Sequence, residues 1–179
     1  MSEPRLLLRP WQESDYEPFA DLCADPVVME HFPSTMERAA AIEWARLKQS
    51  EIDARGWGLW AAEVRGVANF IGFIGLSRPS FMPDSVEIGW RLAQPFWGFG
   101  YATEGANLAL DYGFTNVGLG EIVSFTATTN VRSEAVMRRL GMTHDAADDF
   151  DHPNLPAGHR LARHVLYRMS RERWTSLRG

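Results

Sequence analysis

The chain has 179 residues, 45% apolar and 12% aromatic with seven tryptophans, a composition that suits one folded domain with a sizeable core and argues against disorder. A net charge of −5 disfavours a general nucleic-acid coat, and the single cysteine, Cys23, excludes an intrachain disulfide and a zinc–thiolate cluster. The stretch MSEPRLLLRPWQESDYE carries charge throughout and does not read as a secretory signal, and no apolar run is long enough to span a bilayer, so a cytoplasmic place without a membrane partner is expected.

Taken in chain order, Arg5 to Trp11 reads as a strand. Glu13 to Ala24 reads as a helix with Tyr16, Phe19, Ala20 and Cys23 on one stripe. Asp25-Pro26 begins a second short helical piece ending near Phe32-Pro33. Thr35 to Arg55 is the longest helical candidate, with Ser34 or Thr35 as cap and Gly56 as stop. Leu59 to Arg65 and Phe70 to Ser77 read as a hairpin around Gly66. In Val86 to Leu92 the residues Val86, Ile88, Trp90 and Leu92 alternate with Glu87, Gly89 and Arg91, which marks a strand. A helix over Tyr101 to Phe114 follows, burying Ala106, Ala109, Leu110 and Gly113. Then come a strand over Glu121 to Ala127 and a helix over Asn130 to Leu140, with Ser133, Val136, Met137 and Leu140 on one stripe. An acidic loop over residues 145–158 leads to a final strand, Leu161 to Met169, and a short helical end. Strands and helices mixed in this order predict an α+β architecture in which helices cover a sheet.

The run Trp97 to Ala106, WGFGYATEGA, carries the most chemistry. Gly98 and Gly100 stand between a strand and a helix start, where glycine permits a tight turn and free N–H groups bind an anion such as a pyrophosphate. A dinucleotide fingerprint fails because Thr103 stands where the third glycine would be, and no Gly-Lys-Ser/Thr exists for a P-loop.

Together these segments resemble the GNAT superfamily of N-acetyltransferases, in the branch related to the ribosomal-protein N-terminal acetyltransferases. The likeness rests on Arg5 to Trp11, Asp25 to Met29, Phe70 to Leu76, Val86 to Trp90, Trp97 to Glu104, and Asn130 to Ser133 followed by Leu140-Gly141-Met142. It implies a single acetyltransferase domain over residues 1–179 with the GNAT fold: a central mixed, mostly antiparallel, twisted sheet flanked by helices, with a splayed strand pair at the cofactor site. Acetyl-CoA is the implied cosubstrate and no metal is expected. The backbone of Gly98, Phe99, Gly100, Tyr101, Ala102 and Thr103 would hold its pyrophosphate. The backbone of Trp90 and Leu92 would pair with the pantetheine arm, in the manner of an added strand.

Acetyl transfer to an amine needs the amine neutral and the departing thiolate stabilised. Many members of the superfamily place a Tyr seven residues after the motif Asn as general acid; here that place holds Met137, which has no proton to give. Ser133 lies one turn earlier on the same helix face and is the candidate donor to the sulfur, with packing as its bland alternative. Asn130 either binds pantetheine or caps its helix. Glu87 stands on the fourth strand, where the superfamily often has a Glu that acts directly or through water, and is the candidate base, weighed against a structural ion pair with an arginine or simple electrostatic recognition of a cationic substrate. An α-amine, with a pKa of about 7.7–8.0, demands less of a base than a lysine near ~10.4. The site thus sits more comfortably with an α-amine, and the resemblance to the ribosomal-protein branch implies a protein or peptide N-terminal α-amine as acceptor; the alternatives are a small-molecule amine and a non-catalytic CoA-binding domain.

Other features are expected to be structural. His152, His159 and His164 with Asp148, Asp149 and Asp151 fit no standard metal spacing and read as a solvated loop with a strand histidine, or as acidic lining that attracts a cationic acceptor. Arg132, Arg138 and Arg139 are solvated helix residues or contacts for the 3′-phosphate of CoA. Cys23 and the aromatic residues Trp44, Trp57, Trp60 and Phe73 read as core. A monomer or a homodimer is expected, with the alternating last strand available to pair across a dimer.

Overall fold

The elements follow the apolar patterns closely, and a computed structural model describes them over residues 4–179. In chain order they are β1 (Leu6–Arg9), α1 (Tyr16–Ala24), α2 (Arg38–Arg55), β2 (Leu59–Val64), β3 (Ala68–Ser77), β4 (Glu87–Leu92), α3 (Tyr101–Tyr112), β5 (Glu121–Ala127), α4 (Val131–Arg139), β6 (Thr143–His144), β7 (Phe150–Asp151), β8 (Arg163–Ser170) and α5 (Arg171–Ser176). The chain divides into two units, one built from the residues up to Leu76 with Gly89–Ala109, the other from Ser77–Ile88 with Leu110–Gly179. Both β4 and α3 contribute residues to each.

In the first unit β1 runs antiparallel to β2, with Leu6 opposite Val64, and β2 runs antiparallel to β3, with Leu59 opposite Gly75. The later half of β4 follows β3 in the sheet. Gly72 is required there: a Cβ at this position would lie 2.0 Å from the Arg91 carbonyl oxygen. Helix α1 buries Phe19, Ala20, Leu22 and Cys23, and α2 turns Ala41 and Ala45 inward, small enough for close packing against α1. Trp11, Phe19, Trp44 and Phe73 form one aromatic core, with Phe19 and Trp44 stacked at 5.1 Å and Trp44 and Phe73 at 5.0 Å. The buried Trp11 indole donates to the Leu59 carbonyl at 2.7 Å.

Two expected helical boundaries are corrected here. Residues 25–33 form turns and not a helix: the Val27 N–H binds the Asp25 carboxylate at 2.8 Å, an Asx turn that diverts the backbone, and Pro26 has no N–H to give. Helix α2 begins at Arg38 and not Thr35, because the Met36 N–H is held by the Cys23 carbonyl, a tertiary bond that keeps the segment extended up to Glu37. Its end at Gly56, with φ +79°, is as expected.

In the second unit the first half of β4 pairs in parallel with β5 at a single register position, Glu87 opposite Val123. Strand β5 runs antiparallel to β8 from Glu121–Ser170 to Ala127–His164. The other edge of β8 takes β6 and β7. Both edges of the last strand are thus occupied, which corrects its expected availability for pairing across a dimer. Ile122, Met137, Leu161 and Met169 form the core of this unit. The helical run expected to Phe114 ends instead in a π-helical turn, Gly113–Val117, which brings Phe114 to 5.2 Å from Trp174. Among the described residues no helix is long and apolar enough to cross a membrane.

Candidate active site

Gly98 and Gly100 both take positive φ, +82° and +85°, and carry the chain into α3. Among the described residues the N–H groups from Gly98 to Thr103 donate to no acceptor, and the first N–H used beyond them is that of Glu104, bound to the Gly100 carbonyl. A run of unused donors at a helix start forms an anion cradle, so these residues fit a pyrophosphate. The loop is held from outside by Arg5. Its guanidinium donates to Glu104 at 2.7 and 3.0 Å and to the Phe99 carbonyl at 3.2 Å, and Glu104 also accepts the Leu6 N–H. Arg5 thereby matches the one carboxylate in the first turn of α3, which would otherwise repel an anion.

The end of β4 is fixed by Trp97, whose indole donates to the Leu92 carbonyl at 2.7 Å. Leu92 is buried and Trp90 half-buried. In the second unit, the ladder between β4 and β5 stops beyond Glu87, and the Ile88 carbonyl is taken by the Ser124 hydroxyl at 2.9 Å, a side-chain bond where a continuing sheet would show a backbone bond.

Glu87 is half-buried, and its only polar partner among the described residues is the Ser77 hydroxyl, which donates to Oε2 at 3.3 Å. Burial pushes its carboxyl up to about 8, against the smaller downward pull of that hydrogen bond. No arginine pairs with it, so the structural ion pair weighed for this residue does not form.

Asn130 caps α4: its side-chain oxygen accepts the Ser133 N–H at 3.2 Å while its amide nitrogen donates to Thr126 Oγ1 at 3.0 Å. Both ends of the amide are engaged in orienting the helix start. The half-buried Ser133 hydroxyl donates to no group among the described residues. Met137, one turn on, is buried. The phenol of Tyr167 in the same unit does not replace the missing acid, since it donates to Glu134 at 2.8 Å and burial raises its pKa further.

Residues Trp90, Leu92 and Gly98 to Thr103 therefore belong to the first unit, and Glu87, Asn130 and Ser133 to the second. Sequence reasoning did not find Ser77, Ser124 or Arg5 in these supporting roles. Ser77 and Ser124 each act through one hydrogen bond and Arg5 through three, to residues well separated in the sequence, for which a local pattern carries no signal.

The loop over residues 145–158 differs from expectation. Three of its four carboxylates meet a cation or histidine locally, Asp149 with His144 and Asp148 with Arg168, each at 2.7 Å, and Asp151 3.5 Å from Arg163, while Asp145 accepts the Ala147 N–H. Little charge remains to attract a cationic acceptor. His152 is packed, not solvated, with its ring 4.6 Å from Phe81 and 5.0 Å from His164, and burial lowers the pKa of both histidines. Among the described residues no group of His, Cys, Asp and Glu side chains gathers as a metal site. Arg138 is paired with Glu134.

Residues 5–143 match the family model described as the acetyltransferase (GNAT) domain. The FsC-acetyl coenzyme A-N(2)-transacetylase of Aspergillus fumigatus is 33% identical over 184 residues, covering 95% of this chain and 75% of that protein. An acetyltransferase (GNAT family) from Bacillus anthracis has a similar structure, with TM-score 0.78, 24% identity and coverage of 94% and 96% of the two chains. Spermidine N-acetyltransferase from Vibrio cholerae, solved with CoA and spermine, has TM-score 0.76 at 21% identity over 96% and 98%. At these identities the two solved structures share the fold.

Proposed function

This chain belongs to the GNAT acetyltransferase family, and from that premise we propose that it moves an acetyl group from acetyl-CoA to the α-amine of a protein or peptide N-terminus. The observation that carries the choice of acceptor is Glu87. Its carboxyl has no cation partner among the described residues and burial pushes it up to about 8, so it stands as a single unaided base, which suits an α-amine, largely neutral already, better than a lysine-type amine near ~10.4. A general base works best when its pKa lies near the operating pH. The resemblance to the ribosomal-protein N-terminal branch supports the same acceptor.

In this reading the N–H cradle from Gly98 to Thr103 binds the pyrophosphate, and the backbone of Trp90 and Leu92 aligns the pantetheine. Bound acetyl-CoA supplies the activated acetyl thioester. Glu87, as carboxylate, takes a proton from the acceptor ammonium, directly or through a water, so that the amine attacks with its lone pair free. The Ser133 hydroxyl donates to the departing sulfur. Asn130 acts as a positioning residue by fixing the turn that presents Ser133. One acetyltransferase domain over residues 1–179 carries these roles.

A small-molecule amine is the second reading, favoured by the Aspergillus relative, whose name specifies N(2)-transacetylation. Release of free CoA should be measured with acetyl-CoA and two acceptor sets, short peptides with free α-amines and small amines, with products identified by mass. Acetylation of peptides at the α-amine is the expected result. Turnover confined to amines lacking an α-amine would overturn the acceptor assignment. Acetyl-CoA binding without any turnover would leave a non-catalytic CoA-binding domain.

A further inference from the structure

Arg91 is a half-buried guanidinium without a counter-anion. Among the described residues its contacts are with sulfur and aromatic faces alone. Its Nη1 lies 3.3 Å from Cys23 Sγ and 4.0 Å from Met36 Sδ, and its guanidinium sits 4.1 Å from the Phe32 ring centroid, 5.4 Å from Phe73 and 5.9 Å from Trp44. Nε is shut off from solvent and has no hydrogen-bond partner. Nη2 donates to nothing among the described residues.

The first unit contains its own contrast. Arg9, also buried, meets Asp15 through two bonds of 2.7 and 2.9 Å, Glu63 at 2.8 Å and the Pro10 carbonyl at 3.1 Å. That is how this fold compensates a buried guanidinium when the charge is purely structural. Arg91 receives none of it. Cys23 does not supply the anion, since burial holds its thiol pKa above the usual range and keeps it neutral. Burial correspondingly disfavours the charged form of Arg91. An ionised side chain kept in such surroundings carries a standing cost that a bound anion would relieve.

We propose that Arg91, framed by Phe32, Trp44, Phe73 and Met36, is a recognition site for a carboxylate borne by the acceptor on an apolar body. The idle donors define the ligand. Nε and Nη2 form the side-on edge of the guanidinium, the edge that engages the two oxygens of a carboxylate in parallel. A phosphate dianion would call for a second cation, and the other cation at this frame, Lys48, whose Nζ lies 5.3 Å from the Trp44 ring centroid, is already paired with Glu51 at 2.8 Å. The rings and the thioether select an apolar neighbour to the charge. Nε is shut off from solvent, so ligand entry requires the frame to open, and two of its members, Phe32 and Met36, lie in the irregular segment before α2 and not in a helix or strand. A polyamine would bring positive charge to a buried positive charge and is excluded at this position. The proposal deepens the N-acetyltransferase reading and rests on it for the identity of the ligand as acceptor.

The test separates binding from turnover. Phenylalanine, Ala-Phe and Ala-Ala-Phe, each with its C-terminal carboxamide, serve as acceptors, and their N-acetylated forms serve as probes in calorimetry with the full chain. The carboxylate form is expected to bind roughly 10- to 100-fold more tightly than the carboxamide in at least one pair, with the same ratio appearing in KM. Arg91→Met should abolish that ratio, and Arg91→Lys, which keeps the charge without the fork, should retain only part of it. Equal binding within every pair by the unaltered protein overturns the proposal whether or not the variants fold, as does a preference that survives Arg91→Met. Carboxylate-selective binding without acetyl transfer to any amine would uphold the site and reject the catalytic reading.

Discussion

The Ser77 hydroxyl donates to Glu87 Oε2 at 3.3 Å, and no other polar group among the described residues touches that carboxyl. A half-buried carboxyl with one long neutral hydrogen bond favours its proton, which is why its pKa is pushed up to about 8. The base form is the carboxylate, so kcat/KM should rise with pH and level off above about 8. Glu87→Gln should lower kcat by about 100-fold or more and remove that rise. A Gln variant with an unaltered pH–rate profile would dispose of Glu87 as base.

The same shift predicts a pH dependence of stability. Unfolded Glu87 loses its proton near 4.5, whereas the folded protein keeps it until about 8. Between these values the folded state holds more protons, so stability from this group declines as pH rises, by at most about 1.4 kcal/mol per pH unit. Glu87→Gln should therefore gain in Tm over the natural protein as pH goes from 5 to 8.5, a trend that thermal melts across pH would show.

Gly98 and Gly100 test the anion cradle. A Cβ at Gly98 meets nothing within 4 Å, so Gly98→Ala strains the backbone at φ +82° without a clash. A cost of about 1–2 kcal/mol in the loop geometry is expected, and it should appear chiefly as a KM for acetyl-CoA raised about tenfold. Gly105→Ala is the contrasting case, because its Cβ would lie 2.4 Å from Ile74 Cδ1 and 3.0 Å from Leu6 Cδ2. It should lower Tm and weaken the cradle by shifting α3.

Ser133→Ala should reduce kcat by more than it changes the Kd for acetyl-CoA, since the hydroxyl is needed only as sulfur departs. Equal kcat in Ala and Ser proteins would reject the donor role. Asn130→Ala should cost about 1 kcal/mol of stability through the lost cap, and lower kcat along with it.

Asp15→Asn should be severely destabilising, by about 3–5 kcal/mol, because it leaves the Arg9 charge buried with its main partner neutralised. Chemical denaturation would measure it.

The amino-acid sequence by itself determined the succession of strands and helices, the glycine turn before α3, and the stripes of Phe19, Cys23, Ala106 and Met137, because periodicity and glycine chemistry act over neighbouring residues. It also offered Glu87, Asn130 and Ser133 as candidates, through short motifs whose resemblance to the GNAT superfamily is carried by neighbouring residues. The late start of α2 at Arg38 and the pairing of β8 on both edges were decided by contacts between residues far apart in the chain, whereas the turns over residues 25–33 come from the local Asp25–Val27 bond and Pro26. Tertiary packing also decided the isolation of Glu87 and the unmatched charge of Arg91. A carboxylate or guanidinium carries the same letter whether or not a partner stands beside it; only the folding of Ser77 toward Glu87, and of Phe32, Met36 and Cys23 around Arg91, fixes what each can do.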